Sequence, residues 1–403
     1  MVLLGPELEP WWCHRLTVED GRITALERRA PAPRLEDGAL VVMPSLCNAH
    51  THMGDSCLPD GATGMTLEEG FFRPAGYKYR ALAELGDGIL PHVEAHLAYM
   101  ARTGTTTHID FRESGPAGSR LLRAAAQATG VDAVILGQFR DPPFDAAALE
   151  SDTASLPPAA LAELEELLAV ADGFSESTMN DLTSPAWREL RTRVGGGKWR
   201  AIHCLENAGY RELSLARTGR GDLARALELY DPHLIVHLTV ATAEEIALLA
   251  TSGKTAVLNP RANANLGLPL PPLAALLEAG VNCLLGTDNG LLNSPNLLAE
   301  LDFTYKLAKS QYGDAVAPDP ASILRMATSN AGAVLGARFP GYLAEGLPAN
   351  LCVLDFRVPH LRHTRHLVAS LVSRATPAEV LLTAREGRVL YQQPGFTLPP
   401  SEA

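Results

Sequence analysis

Apolar and polar positions along the chain follow two patterns. Near both ends, apolar and polar residues alternate on either side of a turn signal: 13–26 flank Glu19-Asp20-Gly21, and 379–391 flank Glu386-Gly387. Period-two alternation around such a turn predicts a hairpin, and 350–356 reads as one more strand. Between the ends lie compact apolar runs at 41–49, 105–111, 131–139, 168–174, 199–205, 233–238, 255–258 and 281–286. Stretches with helical spacing of apolar residues separate them, among them 88–102, 119–129, 158–168, 242–251 and 272–279.

Strands that alternate with helices imply a parallel sheet, because parallel neighbours need a crossover connection. Eight is the number of strands that closes a (β/α)8 barrel. An open doubly wound sheet is the alternative, but no glycine-rich phosphate loop follows the first strand. The expected fold is α/β: a (β/α)8 TIM-like barrel over 41–335, with a small β-sandwich domain built from 1–40 and 336–403. Residues 54–79 form a long insert, rich in Gly and Pro, directly after the first strand. A loop in that position lies on the catalytic rim and is expected to cover a pocket.

Composition removes several function classes. With 46% apolar and 20% charged residues the chain is globular. A net charge of −12 without any basic tract argues against nucleic-acid binding, and no apolar run reaches the roughly 18 residues of a membrane span. The six cysteines are scattered without a CxxC pair, and no basic-then-apolar leader opens the chain. Reduced thiols and no export signal point to the cytoplasm. The expected partner is a small-molecule substrate, with no nucleic acid and no membrane; a homodimer is left open.

The candidate chemistry sits at the ends of the apolar runs. His50-Thr51-His52 closes the first, and alternation along a strand turns both imidazoles to one face. His203 ends the fifth run with Glu206 three residues on, His237 ends the sixth, and Asp288 follows the eighth. In a barrel all of these ends meet at the C-terminal face. Three imidazoles and a carboxylate suit one divalent ion, zinc before iron, with a position left for water. Such an ion brings the pKa of water to about 7. Asp288 can then accept a proton, Glu206 can carry one to the leaving nitrogen, and His237 can ligate the ion or hydrogen-bond the developing oxyanion.

These motifs resemble the amidohydrolase superfamily, in the branch of cytosine, guanine and S-adenosylhomocysteine deaminases and triazine chlorohydrolases. The resemblance rests on the sequence from Pro44 to His52, Gly104-Thr105-Thr106-Thr107, His203-Cys204-Leu205-Glu206, His237 and Gly286-Thr287-Asp288. The segments Ala327–Ala333 and Gly341–Gly346 fit the closing part of such chains. It implies that His50, His52, His203 and Asp288 hold one divalent metal, and that Glu206, His237 and Asp288 manage water and protons. Some positions depart from the pattern: Asn350 stands where an Asp is usual, Asn259-Pro260-Arg261-Ala262-Asn263 replaces a Cys/His-Pro-Arg-Ser-Asn run, and Asn289-Gly290 follows Asp288. No lysine lies between 172 and 180, which favours a mononuclear site.

The substrate-binding residues expected on the rim are Lys78, Arg112, Glu113, Arg140 and Asn289, the cations as readers of an anionic group. The leading function is a metal-dependent aminohydrolase that deaminates an amino-substituted heterocycle. The alternatives are opening of a cyclic amide, as in imidazolonepropionase-like relatives, and a non-catalytic binding protein. His92 and His96 on one helix face, and His360, His363 and His366 in a basic stretch, carry less weight.

Overall fold

The structure is a computed structural model that describes residues 1–31 and 39–398. Residues 32–38 and 399–403, inside the two segments expected to form the small domain, lie outside the described residues.

Eight parallel strands run in chain order around the barrel: Leu46–His52, Thr105–Arg112, Asp132–Gly137, Gly173–Glu176, Trp199–Cys204, Leu234–His237, Thr255–Leu258 and Cys283–Leu285. The eighth strand closes the ring in two pieces. Cys283–Leu285 pairs with strand seven, and Asp288–Asn289 pairs with strand one through Asp288 opposite Thr51. Gly286 makes the transfer possible: a Cβ there would stand 2.4 Å from the His50 Cβ and 2.5 Å from Asn259 Oδ1. Asn48 reinforces the closure, donating from Nδ2 to Thr287 Oγ1 at 2.7 Å and accepting from the Thr287 N–H at 3.0 Å.

Alternation along the strands builds two cores. Ala49, Phe111, Val134, Leu136, Ala201, Val236, Val257 and Leu284 fill the barrel, which Ala331, Leu335 and Phe339 plug from one end. Ile135, Ile202, Ile235, Ala256 and Leu285 face out onto the surrounding helices. Helix starts are set locally. Thr242, for example, accepts from the Glu245 N–H while the Glu245 carboxylate accepts from the Thr242 N–H, which satisfies two otherwise orphaned donors.

Two apolar runs resolve differently from their sequence reading. The run 41–49 is two strands in two sheets: Leu40–Pro44 pairs with Leu351–Asp355 and Val2, and only Leu46–His52 belongs to the barrel. Pro44 has no N–H to continue a ladder, so the chain changes sheets there. The run 168–174 divides as well. Leu168 completes the helix Pro158–Val170, whose buried Leu164 and Leu167 keep helical spacing, and strand four is Gly173–Glu176. That shift brings Glu176 to the rim.

The small domain is one mixed seven-stranded sheet: Arg388–Gln392, Val380–Arg385, Leu351–Asp355, Leu40–Pro44, Val2–Leu4, Glu9–Glu19 and Arg22–Pro31. The expected sandwich thus takes the form of a single sheet with two buried faces. Val2, Leu4, Leu351 and Val353 pack in its own core, while Leu3, Val41, Met43, Cys352 and Leu354 join the core between the barrel strands and the surrounding helices. Both hairpins turn through two residues of positive φ, Asp20-Gly21 and Glu386-Gly387, the dihedrals of a type I′ turn. Their tips pack together so closely that a Cβ on Gly21 would lie 2.6 Å from the Glu386 carbonyl oxygen.

The insert after strand one folds into a short 3-10 turn, Met53–Cys57, and two helices, Leu67–Phe71 and Tyr77–Leu85. Phe72 stacks on Tyr210 with ring centroids 5.3 Å apart. Arg73 donates to the Phe139 carbonyl at 2.6 Å and the Arg140 carbonyl at 3.2 Å, which ties the insert to the loop after strand three.

Candidate metal centre and active site

Strand one delivers His50 and His52 to the barrel interior, and the ends of strands five, six and eight bring His203, His237 and Asp288 beside them. Ring centroids lie 4.9 Å apart for His50–His52, 5.0 Å for His50–His203 and 5.3 Å for His203–His237. Asp288 Oδ1 is 3.3 Å from His50 Nε2 and 3.6 Å from His52 Nε2. Among the described residues, the groups of three or more donors close enough to share an ion are His50, His52 and His203, and His50, His237 and Asp288. His360, His363 and His366 form no such group. On the helix Leu90–Arg102, His96 Nδ1 lies 3.1 Å from the His92 carbonyl oxygen.

The donors suit a cation. Both ring nitrogens of His50 are buried without a hydrogen-bond partner, a state that costs about 1–3 kcal/mol per group when nothing satisfies it. Burial pushes His50 down to about 3, and burial with the neighbouring His50 and His237 holds His203 well below the usual histidine range. Both shifts favour the neutral imidazole that ligation requires. Burial alone would raise the Asp288 carboxyl, but His50, His237 and His52 hold it far below the ordinary carboxylate range. His237 and Asp288 both adopt positive φ, 77° and 64°, a strained backbone for residues with a Cβ. Such strain concentrates where side chains are aimed for function.

Behind these donors stands a layer of fixed partners. His52 Nδ1 is 2.9 Å from Glu113 Oε1, and the His203 Nδ1 lies 3.2 Å from the Glu176 carbonyl oxygen. The Asn263 amide sits 3.2 Å from His237 Nδ1. Thr51, between the two histidines, points the other way and donates to Asp110 Oδ2 at 2.8 Å; the same oxygen accepts from the Met53 N–H at 2.7 Å. Partners of this kind fix ring orientation and raise ligand basicity.

The cavity over the donors is lined by His52, Phe71, Lys78, Tyr79, Ser177, His203, Glu206, Tyr210, His237, Asp288 and Asn289. Glu206 Oε1 stands 3.7 Å from His237 Nε2. Burial raises the Glu206 pKa against the opposing pull of His237, which favours a carboxyl able to hold a proton.

Of the five residues expected to bind substrate, Lys78 and Asn289 reach this cavity and Arg112, Glu113 and Arg140 do not. Lys78 is buried, and its ammonium pairs with Glu113 Oε1 and, at 3.3 Å, with Asp55 Oδ2. Asn289 Nδ2 donates to the same Asp55 oxygen at 2.6 Å. Arg112 is 1% exposed, bonded to the Gly118 carbonyl at 3.0 Å and paired with Glu113 Oε2 at 3.2 Å. Arg112 thus spends its Nε and Nη1 on internal partners and lines the neighbouring groove, not the metal cavity. Glu113 is the shared partner of His52, Lys78 and Arg112. Arg140 is exposed in a neighbouring groove that shares Tyr79 with the cavity.

Sequence reasoning missed Glu176, Arg73, Tyr79 and Tyr210. Glu176 was hidden by the misplaced fourth strand. The Arg73-Pro74 pair in the Gly- and Pro-rich insert carried no signal of a partner, and Tyr210, just past Glu206, could have been found from that proximity.

A parallel barrel with a divalent-metal donor set at the C-terminal ends of its strands defines a metal-dependent hydrolase. The chain belongs to the amidohydrolase family, whose model matches residues 41–390. A Methanothermobacter thermautotrophicus protein is 36% identical over 88% of this chain and 89% of its own length. A 5-methylthioadenosine/S-adenosylhomocysteine deaminase of Syntrophobacter fumaroxidans is 31% identical over 89% of this chain and 82% of its own. Among solved structures, an adenosine deaminase from Xanthomonas campestris with bound zinc superposes with a TM-score of 0.80 at 23% identity, over 96% of this chain and 90% of that one. An atrazine chlorohydrolase from Arthrobacter aurescens, in complex with zinc, gives 0.75 at 17% identity, over 94% and 90%. The last two likenesses bear on the fold.

Proposed function

We propose that the protein is a zinc-dependent deaminase that replaces the exocyclic amino group of a flat nitrogen heterocycle with oxygen from water, releasing ammonia. The observation that carries this reading is Glu206, a buried carboxyl with a raised pKa, 3.7 Å from His237 and on the same cavity wall as His203 and Asp288. Deamination needs a group that gives a proton to the ring nitrogen and then to the departing amine, and Glu206 has that position and that tendency.

In this reading His50, His52, His203 and Asp288 hold one ion, with His237 beside it. Zinc bound there supplies Lewis acidity that brings the pKa of water to about 7. Asp288, ionised among three imidazoles, accepts the proton released as water adds to the ring carbon. Glu206 protonates the ring nitrogen, takes up the proton of the new hydroxyl and passes it to the amine, which leaves as ammonia; the proton on Asp288 then restores Glu206. His237 hydrogen-bonds the new oxygen as charge develops on it. Phe71, Tyr79 and Tyr210 supply apolar faces suited to a planar ring, and the insert that carries two of them excludes bulk water. The name of the Syntrophobacter relative supports an aminopurine nucleoside as the first substrate class to try.

The test is ammonia release by the zinc-loaded protein from a panel of adenosine, 5-methylthioadenosine, S-adenosylhomocysteine, guanine, cytosine, pterins and aminotriazines. Saturable release from one class, with the hydroxylated product in equal amount, supports the reading. A new carboxylate without ammonia replaces deamination with ring opening.

A further inference from the structure

Away from the metal centre, a cavity of about 620 Å³ opens between the helices Ser184–Arg193 and Ala208–Thr218. Four arginines line it, Arg188, Arg217, Arg220 and Arg225, against two carboxylates, Asp152 and Glu228. Arg225 is 3% exposed, and its Nε has no hydrogen-bond partner. It donates to Ser214 Oγ at 3.1 Å and, at longer range, to Asn180 Oδ1 at 3.4 Å, and it pairs with Asp152 Oδ1 only at 3.9 Å. Asp152 is already committed, accepting from the Ser184 N–H and hydroxyl at 2.6 Å each. A buried guanidinium whose nearest carboxylate oxygen is 3.9 Å away is incompletely compensated, since desolvation is repaid only by well-placed counter-charge.

Among the other arginines, Arg188 adds to that demand for counter-charge. Arg220 pairs with Glu228, and Arg217 reaches Glu150 at 3.2 Å on the exposed surface. Arg188 is exposed and has no ion-pair partner among the described residues. Hydroxyls of Ser151, Thr153, Ser184 and Thr218 complete the lining. In a chain of net charge −12, a cavity with this excess of guanidinium groups over carboxylates is a local inversion of sign. Planar guanidinium forks with hydroxyl donors match tetrahedral oxyanions. The frame is fixed to the barrel rim: Arg217 donates to the Asn180 carbonyl at 3.2 Å, and Asn180 Nδ2 donates to the Tyr210 carbonyl at 3.0 Å.

We infer that this cavity is a second ligand site, one that takes a phosphate group, free or as part of a phosphorylated metabolite, between Arg188, Arg217 and Arg225. It is separate from the metal cavity and does not depend on the deaminase reading.

Calorimetric titration of the metal-loaded full-length protein with inorganic phosphate at constant ionic strength tests the inference. Saturable one-site binding is expected. It should weaken roughly tenfold for each guanidinium removed in Arg188→Gln and Arg217→Gln, with metal content and turnover unchanged. These two positions are partly or fully exposed, so the variants fold even if Arg225→Met does not. Repeating the titration with ribose 5-phosphate distinguishes a site for free phosphate from one that accepts a phosphorylated metabolite. Binding that is the same in both variants as in the native chain, or no saturable binding of either probe, overturns the inference.

Discussion

Arg73, in the insert after strand one, forms a 2.5 Å ion pair with Glu176 at the end of strand four, and both side chains are buried. Glu176 also accepts from Gln138 Nε2 and the Phe139 N–H, each at 3.1 Å. One contact thus fastens the segment that covers the cavity to the rim of the barrel. Removing one partner of a buried pair typically costs about 3–5 kcal/mol. Arg73→Met should therefore lower Tm and speed proteolytic cleavage within 60–75, and Glu176→Gln, whose single amide oxygen cannot accept from both Gln138 and Phe139, should do the same. Native-like proteolysis of Arg73→Met would show that the insert is held by its apolar contacts alone.

Glu206→Gln should keep the metal and the fold but lose about 10²–10⁴-fold in turnover, the usual worth of a general acid–base group. Metal content and kcat measured on the same preparation check this. A metal-loaded variant with near-native kcat removes Glu206 from proton transfer.

Chelation should abolish turnover and lower Tm, because the buried donors then lose the ion that satisfies them; restored zinc should reverse both. At a free metal concentration a thousand times Kd, the stabilisation is about 4 kcal/mol. Elemental analysis should find one ion per chain. Two ions per chain, with activity following the second, would contradict the mononuclear site.

Glu113→Gln should weaken metal binding by about 10–100-fold through His52, the usual effect of removing such a partner. Lys78→Met should act in the same direction, since it strips Glu113 of its nearest cation. Chelator competition measures both. If Lys78→Met instead leaves metal affinity intact and weakens only anionic substrates, its ammonium reads substrate after all.

Glu300 is fully buried, Oε2 has no hydrogen bond and faces Arg261 Nη1 only at 3.6 Å, and burial pushes the carboxyl up to about 7 despite Arg261. A carboxyl whose folded pKa lies above its unfolded value costs stability above the folded pKa, and that cost fades as pH falls toward about 4.5. Glu300→Gln removes the titration, so its unfolding free energy should gain on the native chain more at pH 8 than at pH 5, by up to about 3 kcal/mol, as denaturant titrations at the two pH values would show. Equal differences at both pH values would mean that Arg261 fully compensates the charge.

The sequence by itself determined the number and order of the barrel strands, the two hairpins and the convergence of His50, His52, His203, His237 and Asp288. These depend on local periodicity and on a topological rule, that strand ends in a parallel barrel share one face. It could not divide 41–49 between two sheets or 168–174 between helix and strand, because an apolar run has no period that marks its partner. Nor could it say where a rim cation points. Lys78, Arg112 and Glu113 are far apart or adjacent in the chain without any sign that they neutralise one another. Only the packing of the insert against strand two decides that their charges are spent inward. Tertiary structure alone also placed Arg73 on Glu176 and left Arg225 without a close counter-charge, since both outcomes depend on distances between segments that no local pattern encodes.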